Sequence, residues 1–488
     1  MIFLSAEEIR AAEKHAMERT SSMQLIGNAA NACFEELKTF NSVLVYCGKG
    51  NNGSDGYATA ILLRKAGKRV CIVQVEEPKT PECAALCSAA CDIGIEMQTI
   101  GNSPKGFECI FDAIFGIGIK GTVTGNPKIA IEEINAANAY VVSADIPSGM
   151  DADTGEGVCV KADKTITFTA PKKGMIYNQC VNSCGEIVIK EVGIQCPNTD
   201  GVAVITNDLA KKLLPKRERL SHKGTYGTAV IIAGSKFMAG AAAMAAQAAQ
   251  RSGCGMVKII APWSICASLN IMVKEAVIIS VPEKRGVISP RLNKQAIAEI
   301  SKADSVLIGC GIGKGHHEKM IGNVLKCARC PVIIDADGIN ALSGHLDIIK
   351  NKNVLLTPHP LEFSRISSVS VPELEKNRPE YADVFVKQTL CNVVLKGART
   401  VFVNKDGMAY VSLISTSALA KAGSGDALAG ICASLAAQGL NISDSAVLAV
   451  YLHALAGTIC ERKLGAYSTT SGDLIENISE AFKTLTFS

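Results

Sequence analysis

SVLVYCGKGNNGSDG, residues 42–56, decides the fold of the first part of the chain. Ser42–Cys47 is a short apolar run with β-branched residues, the length of a buried strand rather than of a helix. GKGNNGSDG (48–56) follows, and then a helix-length pattern. Similar strand-like runs recur at Arg69–Val75, Cys109–Ile114, Tyr140–Ala144, Thr165–Thr169 and Glu186–Lys190, with helical stretches between the first four. Apolar strands that do not alternate, separated by helices, imply a mostly parallel sheet covered on both faces. Ahead of them, Ser5 and Glu8 form a capping-box signal for a helix to about Arg19, and a second helix covers Met23–Lys38.

Gln195–Ser221 breaks this rhythm with Pro197, Pro215 and KKLLPKRER (211–219). A domain boundary is expected between residues 205 and 220, giving domains 1–205 and 206–488. The α/β alternation then restarts. Thr228–Ala233, Met256–Ala261, Ser305–Gly309, Pro331–Asp335, Val354–Thr357 and Asn392–Lys396 read as strands. Ala239–Ser252, Gly425–Gln438 and Ser443–Arg462 read as long Ala-rich helices. No short repeat or low-complexity tract interrupts either half.

Hydrophobic residues make up 48% of the 488, enough for packed cores in both halves. A net charge of +4 is too weak at this length to argue for a nucleic-acid or membrane partner. The basic cluster Lys211–Lys223 reads as a solvated interdomain stretch. No apolar run reaches the roughly 18 residues of a membrane span, and MIFLSAEEIR at the start reads as a helix lead-in rather than a secretory leader. The 19 cysteines are odd in number and fall mostly in expected helices and strands. They fit buried thiols in a reducing, cytoplasmic setting better than a disulfide framework. Cys83, Cys87 and Cys91 share a helix face, but the outer two would be about 12 Å apart, too far for one metal ion. Cys327 and Cys330 form a lone CxxC that fits helix packing better than a zinc or redox site.

GKGNNGSDG leaves a strand and opens a helix, an arrangement whose backbone N–H groups suit an anion such as phosphate. It matches neither G-x-G-x-x-G nor a Walker A loop, and alone it is either a tight turn or a ligand cradle. FDAIFGIGIKG (111–121) and ADIPSGMDADTG (144–155) leave two further strand ends. In an open parallel sheet all three loops would meet at one crevice. Asp145 alone would also fit a loop-capping role. Together the three motifs resemble the NAD(P)H-hydrate epimerase family over about residues 1–205. The resemblance implies a Rossmann-like three-layer fold and a potassium ion held by Asn52, Asp112 and Ser148. It also implies contacts of the hydrated cofactor with Asn51, Asn52, Gly53, Ser54, Asp55, Gly116, Ile117, Gly118, Ile119, Lys120, Gly121, Thr122 and Asp145. Ser54 stands where that family usually has glycine. Epimerisation at C6 needs proton movement, and Asp145 is the candidate shuttle.

AGSGDALAG (422–430) is the strongest single motif. Its glycines would expose amides at a helix N-terminus, and Asp426 in the first turn could take a proton from a hydroxyl attacking phosphorus. A first-turn Asp that merely complements the helix dipole is the plainer alternative. The motif resembles the ribokinase-like superfamily. SHKGTYG (221–227), IIAGSKFMAGAAAMAAQAAQRSGCGMV (231–257), IGCGIG (308–313), VIIDADGINAL (332–342), LLTPHPLEF (355–363) and VVLKGART (393–400) appear in order. Together they resemble the NAD(P)H-hydrate dehydratase family over nearly all of 206–488. The resemblance implies a ribokinase-like α/β domain in which Ala241, Gly311, His359 and Asp426 line the hydrated cofactor. Lys396, Gly397, Ala398, Arg399, Thr400 and Gly425 would line ADP, or less favourably ATP, with Mg2+ bridging its phosphates. Asp335, Asp337 and Asn340 either orient ligand or cap the next helix. Leu361 replaces the usual glycine after TPHP, and Ala427 the common valine after GSGD.

The implied whole is a fused, homo-oligomeric repair enzyme. Its two halves would interconvert R- and S-hydrates and dehydrate the S form at the cost of a nucleotide. A small-molecule kinase is the alternative that GSGD alone would allow, and a non-catalytic N-terminal module is another. The fusion and TPHP weigh against the first. Asn52, Asp112, Asp145 and Ser148 weigh against the second.

Overall fold

The computed structural model of this chain describes residues 2–101, 105–119, 121–176, 181–195, 201–315 and 317–487. It forms two compact units, Met1–Gly201 and Val202–Ser488. The division falls just ahead of the 205/206 boundary expected from sequence, because Ala203–Val204 joins the sheet of the second unit.

In the first unit β1 (Ser42–Cys47), β2 (Arg69–Gln74), β3 (Glu96–Thr99), β4 (Cys109–Ala113), β5 (Tyr140–Ala144), β6 (Lys164–Phe168) and β7 (Glu186–Lys190) form one sheet. Its order is β3-β2-β1-β4-β5-β6-β7, with every neighbouring pair parallel. β1 is buried throughout, which is why it reads as an unbroken apolar run. The strand order reverses between β1 and β4, so their outgoing loops diverge and open a crevice at the C-terminal strand ends. β3 was not legible: its sequence, EMQT, is a partly exposed edge strand without an apolar signal. The Ser5–Glu8 box closes in both directions, at 3.2 and 2.7 Å, and opens the helix Ala6–Met17.

The second unit contains β8 (Ala203–Val204), β9 (Thr228–Ile232), β10 (Met256–Pro262), β11 (Val277–Val281), β12 (Glu283–Lys284), β13 (Val287–Ile288), β14 (Ser305–Ile308), β15 (Val332–Ile334), β16 (Val354–Leu356), β17 (Asn392–Leu395), β18 (Val401–Val403) and β19 (Ala409–Val411). Ten of them form a sheet in the order β11-β10-β9-β14-β15-β16-β17-β18-β19-β8, while β12 and β13 pair separately. The run from β11 to β17 is parallel, and β18 and β19 extend it antiparallel. The helices Ala239–Arg251 and Ser424–Ala437 pack closely because their contact residues are small. A Cβ on Gly430 would lie 2.2 Å from the Ala245 carbonyl oxygen. One helix, Ile442–Leu464, does have the length and composition of a membrane span, contrary to the sequence expectation. Two-thirds of its most apolar stretch (67%) is buried within the protein, so the core of the unit accounts for its composition.

Candidate functional site

Each unit carries one candidate site at the C-terminal ends of its parallel strands. In the first, Gly50 caps the helix Asn51–Lys65 without a side-chain bond, so NNGSDG forms its opening turn. The glycines permit backbone to pass backbone. A Cβ on Gly48 would lie 2.0 Å from the Ile114 carbonyl oxygen, and one on Gly53 2.0 Å from that of Gly48. Ser54 fits the turn: it is buried and its hydroxyl donates to the Gly50 carbonyl at 3.2 Å. Asp112, at the end of β4, is fully buried and accepts from Ser148 Oγ (2.5 Å), Ser148 N–H (2.9 Å) and Ser143 Oγ (2.7 Å). Burial nevertheless pushes its carboxyl above the usual range. The Asn52 amide is buried nearby on the crevice floor, and its nitrogen has no hydrogen-bond partner among the described residues.

Asp145 leaves β5 with φ 66°, a left-handed conformation rare for a residue with a Cβ. The turn aims its carboxylate back over the strand ends. A Cβ on Gly116 would lie 3.0 Å from Asp145 Oδ2 and 3.7 Å from Asn52 Oδ1, so Asn52, Gly116 and Asp145 converge. Lys172, fully buried, donates to Asp145, to Thr167 Oγ1 (2.8 Å) and to the Phe168 carbonyl (3.3 Å). Two more carboxyls share this space. Burial, and then the charges of Asp145 and Glu13, push Asp55 well up. Burial and Asp145 raise Glu13 on the first helix. Arg10 on the same helix donates to the Ile117 carbonyl at 2.9 Å, tying the glycine loop down. Ile119 and Thr122 line a cavity of about 360 Å³ with Lys49, Glu76 and Phe115. Lys120 lies outside the described residues.

In the second unit the ends of β14, β15, β16 and β17 meet the helix Ser424–Ala437. Asp335, just past β15, is buried and accepts from Lys396 Nζ and Thr357 Oγ1, both at 2.8 Å. Burial opposes the charge of Lys396, but Asp335 and Glu362 (3.9 Å) outweigh it and hold the ammonium above its ordinary value. Gly425 sits against this pair, since a Cβ there would lie 3.1 Å from Lys396 Nζ. Asp426 follows. Burial, then the charge of Asp335, pushes its carboxyl up to about 7. One ligand atom each of Cys310, Asp335 and Asp426 lie within 4.8 Å of one another. Ala241 and Gly311 face each other closely, at 2.8 Å from a Cβ on Gly311, whose φ is 61°.

Four residues singled out in the sequence also make local structural contacts. His359 caps the helix Pro360–Ser367: its Nδ1 accepts from the N–H groups of Leu361 and Glu362 at 3.1 and 3.3 Å. Burial and Lys396 lower its pKa, so the ring stays a neutral acceptor. Leu361 is half-exposed at that first turn, and the turn forms without glycine. Arg399, expected at the nucleotide, is fully buried and donates to the Leu413 carbonyl. Asp337 accepts from the Gly313 N–H at 2.8 Å, and Asn340 from Arg365 at 2.7 Å, so both brace loops.

Comparison with known proteins now bears on this geometry. The family described as NAD(P)H-hydrate dehydratase matches residues 229–480, which include Asp335, Lys396 and Asp426. The family described as YjeF-related protein N-terminus matches residues 22–174, which include Asp112, Asp145 and Lys172. The bifunctional NAD(P)H-hydrate repair enzyme Nnr of Moorella thermoacetica is 31% identical over 91% of this chain and 88% of its own. That of Escherichia coli is also 31% identical, over 97% and 92%. This chain belongs to the bifunctional NAD(P)H-hydrate repair enzymes. Its second unit also resembles the solved ADP/ATP-dependent NAD(P)H-hydrate dehydratase of Bacillus subtilis, co-crystallised with ATP and Mg2+. That likeness has a TM-score of 0.51 and 30% identity, and covers 58% of this chain and 99% of that one.

In this repair enzyme several residues that sequence reading passed over position the sites. Lys172 and Glu13 surround Asp145, as described. Arg378, fully buried, donates to the carbonyls of Leu395 and Arg399 at 3.1 Å and to that of Lys396. It lies under the KGART turn and needs Gly397 there, because a Cβ would come within 2.2 Å of its guanidinium. His453, whose pKa burial lowers to about 4, is neutral and holds Ser424 at 2.9–3.0 Å. TAPKK (169–173) offered one signal, a lysine just past a strand end. Arg378 and His453 sit within ordinary helical patterns and offered none.

Proposed function

We propose that both halves are catalytically active, the first exchanging the R- and S-hydrates of NADH and NADPH and the second dehydrating the S-hydrate. The observation that carries the second assignment is Asp426. It stands on the first turn of a glycine-opened helix, with a carboxyl that ionises near neutral pH. As general base it takes the proton of the C6 hydroxyl while that oxygen attacks the terminal phosphorus of the nucleotide. The bond from that phosphorus to the nucleotide's bridging oxygen breaks as the C6–O–P bond forms. The ring nitrogen then pushes out inorganic phosphate to give an iminium ion, and loss of a proton from the neighbouring C5 leaves NAD(P)H and, from ADP, AMP. Hydroxide alone is a poor leaving group, which is why a phosphoryl donor is needed. In this reading ADP is preferred to ATP. Lys396, with the Gly397 and Thr400 backbone turn, holds its phosphates. Asp335 and Asp426 offer oxygen donors toward the Mg2+ that accompanies the nucleotide.

In the first half Asp145 takes the proton of the C6 hydroxyl as the C6–N bond breaks to give the ring-opened aldehyde, passes it to the ring nitrogen, and reverses the transfer as the ring recloses on the other face of C6. Lys172 fixes its orientation, and Glu13 and Asp55 share the same space as further proton acceptors. The residues fit a potassium ion. Asn52, Asp112 and Ser148 are all oxygen donors, Asp112 is a buried carboxylate without an ion-pair partner among the described residues, and the Asn52 amide nitrogen has no partner to fix its orientation. A bound potassium ion would supply positive charge near the hydrated ring. The oligomeric assembly implied by family likeness belongs to the same proposal. Phe237, Trp263 and Ile271 are exposed apolar side chains that such contacts would cover, and light scattering tests it.

The direct test supplies mixed R- and S-hydrated NADH with ADP or with ATP and follows the absorbance of the regenerated dihydronicotinamide. Complete recovery with release of phosphate requires both activities. Recovery that stops at about half means that the first site is inactive. A stable phosphorylated product would mean a kinase instead.

A further inference from the structure

The cavity of about 360 Å³ in the first unit reaches away from Asp145, toward the end of β2. Phe115, Ile119 and Thr122 connect it to the glycine loop beside Asp145. On its far side Lys49 Nζ and Glu76 Oε1 pair at 2.7 Å, with both side chains partly exposed to the cavity. Glu76 follows β2, whose last residues pair with Cys47 at the end of β1. The other carboxylate oxygen, Oε2, has no hydrogen-bond partner among the described residues. Oε2 is shielded from solvent, so a hydroxyl in the cavity would meet the carboxylate at Oε1, which can accept a second hydrogen bond beside that of Lys49.

The sheet order sets what reaches this place. With the hydrated ring at Asp145 over β5, a dinucleotide runs across β4 and β1, its diphosphate at the helix opened by Asn51, to β2. What arrives at β2 is the adenosine ribose. An acidic residue there, about 20 residues beyond the glycine loop, accepts hydrogen bonds from the ribose diol in dinucleotide folds. Glu76 lies 20 residues after Gly56. A 2′-phosphate at the same place would meet a carboxylate, and Lys49, which lines the cavity beside it, is already paired with that carboxylate.

We propose that Glu76 and Lys49 form a ribose-reading pair that makes the epimerase half favour the hydrate of NADH over that of NADPH. The proposal rests on the reading of the first unit as the epimerase, with the hydrated ring at Asp145. It is tested on the full chain without added nucleotide, so that the dehydratase is silent. R-to-S exchange of each hydrate is followed by chromatography. The unaltered protein is expected to show kcat/KM at least about tenfold higher for hydrated NADH. Glu76→Gln frees Lys49 and should bring the two hydrates close to parity. Lys49→Met leaves Glu76 uncompensated and should widen the gap. A merely structural role would lower both hydrates together and leave their ratio unmoved. Equal rates in the unaltered protein, or an unmoved ratio in both variants, overturns the pair. Asp145→Asn separates the two ideas. If it abolishes exchange while the ratio stays unmoved in the other variants, the pair fails and the epimerase reading stands. If exchange survives in Asp145→Asn and the ratio is unmoved, both fail.

Discussion

In both units a carboxylate past a parallel strand is held by a lysine, fully buried in the first and partly buried in the second, and the two units use the pairing differently. In the first, Lys172 grips Asp145, the candidate proton carrier itself. In the second, Lys396 grips Asp335, and the reactive candidate Asp426 stands beside the pair. The negative charge of Asp335, added to burial, then raises Asp426 to about 7. The same two residue types therefore orient a proton carrier in one site and tune a neighbouring base in the other. The difference suits the chemistry. Epimerisation takes the proton of the C6 hydroxyl as the ring opens and returns it as the ring recloses, which needs a carboxylate held in place. Phosphoryl transfer needs a base ready to take a proton at neutral pH.

The largest effect that would break this contrast is on Asp426. Asp426→Asn should lower dehydratase kcat/KM by roughly 10³-fold, within the usual range for a general base. R/S exchange should be untouched, and loss of both would join what the comparison separates. Removing the cations comes next. Lys172→Met leaves Asp145 mostly buried without its partner, and should destabilise the first unit by about 3–5 kcal/mol in urea unfolding. Lys396→Met should do the same to the second unit. Each should spare the other unit's activity.

The pH dependence sharpens the contrast further. Dehydratase kcat/KM should rise with pH up to about 7 as Asp426 ionises, then level off. Stability moves the other way. The unfolded carboxyl ionises near 3.8 and the folded one near 7. Between those values the unfolded chain loses a proton that the folded chain keeps, so stability falls as pH rises through that window. Asp426→Asn should therefore be more stable than the unaltered protein at pH about 8, by roughly 1–2 kcal/mol, with the gap closing toward pH about 4. The smallest effect is expected at Ser54. Ser54→Gly removes one hydrogen bond to Gly50, and should change stability by about 1 kcal/mol or less and leave exchange intact.

What could be read from the sequence follows the same division between local and distant. The strand-to-glycine-loop-to-helix units announce themselves within 15 residues of chain, so β1, the GSGD helix and their glycines were legible. Partners brought in by the fold were not. Lys172 reaches Asp145 from 27 positions away, and Arg378 reaches the KGART turn from another helix. Short strands such as β3, β18 and β19 carry too few residues to show a period, and their pairing is set by the neighbours they extend. The contacts of Arg399 were illegible for a related reason. Its place in the KGART motif put it among the residues lining the nucleotide, and the fold turns its side chain inward to donate to the Leu413 carbonyl.

The central claim is that two separate sites divide the work, one around Asp145 and one around Asp426. Pure R-hydrated NADH, supplied with nucleotide, tests it most directly through the initial rate of regenerated NADH. Asp145→Asn alone and Asp426→Asn alone should each give almost no NADH, and mixing the two proteins should restore the rate because the S-hydrate passes from one to the other. Failure of the mixture to recover, or an undiminished rate from Asp145→Asn alone, would contradict it.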